Sequence, residues 1–117
     1  MVLLFFDLSF PPIAPPYTPS VPQVDQIRPD SVRLLWKAGY DGNSAIHYFR
    51  IGLKYVDNNT EVVKIHRAMP SGVIKKYVVP GLTPSARYQF RIQAENGVGH
   101  SQWSGYSKVV VTGEARE

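Results

Sequence analysis

The 117-residue chain contains no cysteine. That excludes a disulfide framework, a thiolate nucleophile and a thiolate zinc site, and leaves packing alone to hold a fold. Long apolar runs are missing too. The opening Met1-Val2-Leu3-Leu4-Phe5-Phe6 is broken by Asp7, short of the roughly 7 to 15 apolar residues of a signal peptide. Nothing approaches the roughly 18 consecutive apolar residues of a membrane span, so direct membrane insertion is not expected. Charge of one sign is scarce: 13 Lys and Arg against 9 Asp and Glu leave a net +4, too mild to mark a nucleic-acid binder. No segment carries apolar residues at helical spacing.

Hydrophobic residues make up 44% of the chain and charged residues 19%, enough apolar material to offset chain entropy in one domain. Six of the ten prolines fall between Pro11 and Pro22. Each fixes φ and removes a backbone donor, so residues 1–18 read as an apolar and then Pro-rich, semi-rigid and poorly ordered linker that no helix or sheet ladder crosses. Residues 19–113 form the domain and 114–117 a tail.

Beyond the prolines the side chains alternate. Val32, Leu34 and Trp36 share one face, and the same period of two recurs in Phe49, Ile51, Leu53 and Tyr55. It returns in Val63 and Ile65, in Tyr77 and Val79, in Tyr88, Phe90, Ile92 and Ala94, and in Val109 and Val111. The pattern is weakest over Val62–Arg67, which reads as an edge strand. Turn residues separate the runs at Asp41-Gly42-Asn43, Asp57-Asn58-Asn59, Pro80-Gly81 and Asn96-Gly97. Short strands at this spacing predict an all-β sandwich or barrel.

Several of these residues resemble the fibronectin type III family over roughly Pro19 to Gly113. They are Pro22, Trp36, Ile46 and Phe49, then Gly81-Leu82-Thr83-Pro84 and Tyr88-Gln89-Phe90-Arg91-Ile92-Gln93-Ala94-Glu95-Asn96, with Asn96-Gly97-Val98-Gly99-His100-Ser101 similar to the loop between the sixth and seventh strands. The resemblance implies an immunoglobulin-like sandwich of about seven antiparallel strands, with the first, second and fifth facing the other four. Trp36 then fills the core, Leu82 plugs one end, and Tyr88 is spaced to form a tyrosine corner, its ring inside and its hydroxyl bonded to backbone.

Catalytic motifs fail on inspection. Gly97-Val98-Gly99 begins like a dinucleotide fingerprint, but Gln102 stands where the third Gly belongs. Gly42-Asn43-Ser44-Ala45-Ile46 lacks the last Gly of a nucleophile elbow. His47, His66 and His100 are scattered and read as surface histidines, so neither metal nor cofactor is expected. Pro12-Ile13-Ala14-Pro15 fits a minimal polyproline pattern, and a spacer is the simpler reading. Asn58-Asn59-Thr60 meets the rule for N-glycosylation and reads equally as a polar turn.

Trp103-Ser104-Gly105-Tyr106-Ser107 is similar to the Trp-Ser-x-Trp-Ser signature of class I cytokine receptors, with Tyr in place of the second Trp. Arg87 and Arg91 alternate outward on the sixth strand, which predicts stacking of a guanidinium on Trp103 or Tyr106. Arg50, Lys54 and Lys108 are expected on the same face, which makes an acidic polysaccharide or an acidic protein surface a second class of partner.

The function that follows is a non-catalytic protein-interaction module of a larger adhesion, receptor or scaffold protein. The alternatives are a spacer in a multidomain array and a cytokine-receptor-like ligand-binding domain. The resemblance brings the loops after the second strand, before the fifth and after the sixth to one pole. Expected contacts are therefore Tyr40, Asp41, Met69, Val98 and His100, with Arg91 and Trp103 as an alternative site on the sheet face. No Arg-Gly-Asp occurs, so the integrin contact of some family members does not carry over. The cell exterior is favoured over the cytoplasm.

Overall fold

The computed structural model describes residues 12–67 and 74–115. Its regular elements are the strands β1 Gln23–Asp25, β2 Val32–Lys37, β3 Ile46–Tyr55, β4 Thr60–Arg67, β5 Ile74–Val79, β6 Arg87–Asn96 and β7 Val110–Val111. They form a three-stranded sheet in the order β1-β2-β5 and a four-stranded sheet in the order β4-β3-β6-β7. All pairs are antiparallel. This is the layering that the resemblance implied.

Alternation on the central strands builds the core. Val32, Leu34 and Trp36 of β2 meet Phe49, Ile51 and Leu53 of β3 and Tyr88, Phe90, Ile92 and Ala94 of β6, all buried. Trp36 packs edge-on against Phe49 with ring centroids 5.2 Å apart, a geometry that suits the aromatic quadrupole. At the far end Leu82 is buried and the backbone N–H of Thr83 donates to Tyr88 Oη at 2.8 Å. The tyrosine corner is formed.

Two strands depart from the expected pattern. β4 is the predicted edge strand, but Val63 and Ile65 point outward, 46% and 61% exposed. They lie opposite Gly52 and Arg50, while Val62, Lys64 and His66 pair with the core residues Leu53, Ile51 and Phe49 and so share their inward side. The facing layer has one strand fewer, so the inner side of β4 is only partly covered and makes little demand for apolar side chains. His66, expected at the surface, is half-buried there. Its ring lies 4.8 Å from Tyr77 and 6.2 Å from Trp36, and burial, reinforced by the charge of Lys75, lowers its pKa. In β7 the inward residue is Val110, whereas Val111, and Val109 just before the strand, are exposed.

The turns behave as their residues require. Gly42 and Gly81 take φ of 73° and 72°, and Asn43 and Asn59 take 62° and 59°, the left-handed region that Gly and Asn tolerate best. The N-terminal prolines do more than link. Pro16 and Pro19 are buried, and the segment 14–17 is tied to the loop after β2 by Ala14 N donating to Gly42 O and Tyr17 N to Tyr40 O, each at 2.8 Å. A methyl group on Gly42 would collide with the Ala14 carbonyl, so the strap depends on that glycine.

Candidate functional site

Two regions gather the polar and aromatic side chains that the core does not use. The first is the pole where β2 hands over to β3 and β6 to β7. Asn96, the last residue of β6, is buried and links three segments. Its Oδ1 accepts from Val98 N at 2.9 Å and Gly99 N at 3.1 Å. Its Nδ2 reaches the carbonyls of Ala14 and Asp41 at 2.8 Å and of Ser44 at 3.2 Å. An amide nitrogen has two hydrogens, so the three acceptors share them. Asp41 Oδ1 accepts from Asn43 N at 2.8 Å and closes the tip of the loop.

On this backbone frame the apolar side chains stand clear. Tyr17, Tyr40 and Val98 are 64%, 54% and 43% exposed. Tyr17 and Tyr40 meet edge to face at 5.3 Å. His100 lies at the border of the pole, its Nδ1 3.1 Å from Gln93 Nε2 on the outer side of β6. Pro15, Pro16, Tyr17 and Thr18 face His100, Ser101 and Gln102 across an open groove.

The second region is the outer face of the four-stranded sheet. The chain after β6 rejoins it through three serines. The backbone N–H of Ser101, Ser104 and Ser107 donates to the carbonyls of Ala94, Ile92 and Phe90 at 2.8, 2.8 and 2.7 Å. Each serine Oγ accepts from the N–H of the same β6 residue at 2.9, 2.9 and 3.0 Å and donates to the carbonyl of its own successor. Three residues of this segment thus match two of β6. Trp103 and Tyr106 share that three-residue step and project over the sheet.

Arg91 lies between them, its Cζ 4.5 Å from the Trp103 ring centroid and 4.8 Å from that of Tyr106. Lys54 Nζ stands 5.0 Å over the other part of the ladder, at Tyr106. Glu61 locks it: Arg91 Nε and Nη2 donate to its two oxygens at 2.9 and 2.6 Å, and Tyr106 Oη donates to Oε2 at 3.0 Å. The Glu61 hydrogen bond raises the Arg91 pKa. Burial, and then that carboxylate, push the Tyr106 phenol up. Gly52 makes room for the bridge, since a Cβ there would strike the Glu61 carboxylate and the Arg91 side chain.

The family model described as fibronectin type III domain matches residues 17–110. The chain belongs to the fibronectin type III family. It is 33% identical over 99 residues to protein sidekick of Drosophila melanogaster, an alignment that takes in 83% of this chain and 4% of that protein. The titin domains A168–A170 superpose with a TM-score of 0.75 at 28% identity, over 86% of this chain and 33% of that one. Chicken CNTN1 FN1–FN3 domains give 0.71 at 30% identity, over 87% of this chain and 34% of that one. The chain therefore spans a small fraction of its curated relative.

Within this fibronectin type III domain, Asn96 brings Asp41 and its loop together with Val98, whereas Met69 lies outside the described residues. The predicted stacking of Arg91 on Trp103 is present. The predicted basic patch is largely neutralised: Arg50 pairs with Glu95 at 2.7 Å, Arg87 with Asp57 at 2.5 Å and Arg91 with Glu61 at 2.6 Å. Among the described residues no three of His, Asp or Glu converge on a metal site, and no helix is long and apolar enough to cross a membrane. Sequence reasoning missed Glu61, Gly52, Asn96 and Tyr17. The recurrence of serine at 101, 104 and 107 was the available signal for the ladder, and an Asn ending a strand before Gly was the signal for the pole.

Proposed function

We propose that this domain is a non-catalytic protein-interaction module of a larger cell-surface adhesion, receptor or scaffold protein, and that a partner protein docks on the pole around Tyr17, Tyr40, Asp41 and Val98. The observation that carries the reading is the pairing of exposed apolar side chains with a backbone frame fixed by one buried amide. Tyrosines on a rigid frame present large contact area with little conformational entropy left to lose on binding. The sheet face offers less, because Arg50, Arg87 and Arg91 already hold carboxylates and Lys54 and Arg91 lie over aromatic rings. The similarity to domains of sidekick and CNTN1 supports a place in a long multidomain protein outside the cell.

The test is to cross-link the purified chain to intact cell surfaces, identify what is captured, and measure its affinity with purified components. Tyr40→Ser combined with Val98→Ser should weaken binding at least about tenfold, or about 1.4 kcal/mol, while Trp103→Ala leaves it within about twofold. Equal affinity for the pole variant sinks the proposal, and a domain that only spaces its neighbours captures nothing.

A further inference from the structure

Asn58-Asn59-Thr60 is the only Asn-x-Ser/Thr in the chain, and the fold puts it at the tip of the β3–β4 hairpin. All three residues are exposed. Thr60 Oγ1 donates to Asn58 Oδ1 at 2.6 Å, and Thr60 N donates to the same oxygen at 3.1 Å. Two donors on Oδ1 draw electron density away from Nδ2 and make its N–H more acidic, and this turn keeps the motif local, since Asn59 N is itself satisfied by Tyr55 O at 2.8 Å.

We infer that Asn58 is an N-glycan acceptor. The donor class is a lipid-pyrophosphate-linked oligosaccharide. Asn58 Nδ2 attacks the anomeric carbon of the first sugar, the C1–O bond to pyrophosphate breaks with its electron pair leaving on the phosphate, and the amide proton passes to a base of the transferase. The new C1–N bond carries the glycan. Occupancy in the native protein rests on the extracellular part of the proposed function; the competence of the acceptor does not.

β3 begins at Ile46, opposite Asn96, and runs ten residues to Tyr55 at the hairpin, about 30 Å at strand rise. At the tip, Asp57 pairs with Arg87 and Val56 N donates to Arg87 O, beside the Tyr88 corner. A glycan at Asn58 therefore projects from the end opposite Tyr40 and Val98 and leaves that pole uncovered.

The test uses the full chain behind an added secretion signal in animal cells, with intact-mass analysis before and after peptide-N-glycosidase. On treatment most secreted chains should lose the mass of a whole oligosaccharide, with Asn58 converted to aspartate by hydrolysis of the glycosylated amide. Asn58→Gln and Thr60→Ala should abolish the modification, and Thr60→Ser should retain it. The glycosylated chain and Asn58→Gln should bind the captured partner within about twofold of each other. A secreted wild-type chain of unmodified mass overturns the acceptor assignment, whatever the pole binds. A glycan that blocks binding at the pole overturns the assigned geometry, while loss of binding in Tyr40→Ser with the glycan retained separates the two proposals.

Discussion

The pole and the outer sheet face each set a pair of aromatic side chains over the β-sandwich, but the charges are concentrated on the sheet face. On the sheet face Arg91, Lys54, Trp103, Tyr106 and Glu61 are satisfied by one another. At the pole the polar groups are inward, on Asn96 and the backbone, and the aromatic rings are outward. A cluster of arginines is thus a poor guide to a binding surface when carboxylates stand within reach. We propose that exposed apolar groups over a satisfied frame mark the contact instead.

Asn96→Ala should give the largest effect that separates the regions. It removes the hydrogen bonds joining three segments, and should cost about 2 to 3 kcal/mol in urea denaturation. Amide exchange of Val98 and Gly99 should speed up, while the serine-held amides of Phe90, Ile92 and Ala94 stay protected. Faster exchange of both sets would mean that the regions are one cooperative unit.

Arg91→Ala breaks the other side. It removes two cation–π contacts and a half-buried bidentate ion pair, and should cost about 1 to 2 kcal/mol, read from the shift in the urea midpoint and from the emission of Trp103. Partner affinity should be unchanged. Should affinity fall as far as stability, the sheet face and not the pole holds the contact.

The smallest effect is a pH dependence beneath β4, the strand that supplies Glu61. Burial holds the His66 pKa below the ordinary value of 6.5, so as pH falls through 6.5 the unfolded chain binds more protons than the folded one. This contribution to stability is whole above the unfolded value and is lost as pH drops toward the folded one. Urea midpoints taken at about pH 7.5 and 5.5 should fall with acid, and His66→Phe should flatten the difference. An unchanged slope in that variant would place the titration elsewhere.

Most of the fold was legible. Where a strand is covered on one face by a full layer, as in β2, β3 and β6, burial forces a period of two, and Leu82 with Tyr88 marks its own corner. Legibility failed where that force weakens. Val63 and Ile65 lie on an edge strand with an incomplete facing layer, and β7 is short enough for Val110 alone to decide its face. The serine segment follows a period of three because its side-chain hydroxyls join the backbone ladder, a pattern that alternation does not detect. Glu61 and Arg91 meet across Gly52 from positions thirty residues apart, and only the strand register brings them together. For the same reason Asn96 could be read as a turn residue but not as the link between the strap and both loops.

In the proposed function recognition belongs to the pole, and the sheet face is closed by its own contacts. Hydrogen–deuterium exchange of the chain with and without its captured partner decides between the two regions. New protection is expected only over residues 14–17, 40–44 and 97–100, with 50–54, 61–65 and 103–107 unchanged. Protection that falls on the Trp103–Tyr106 ladder while the pole exchanges freely would contradict it.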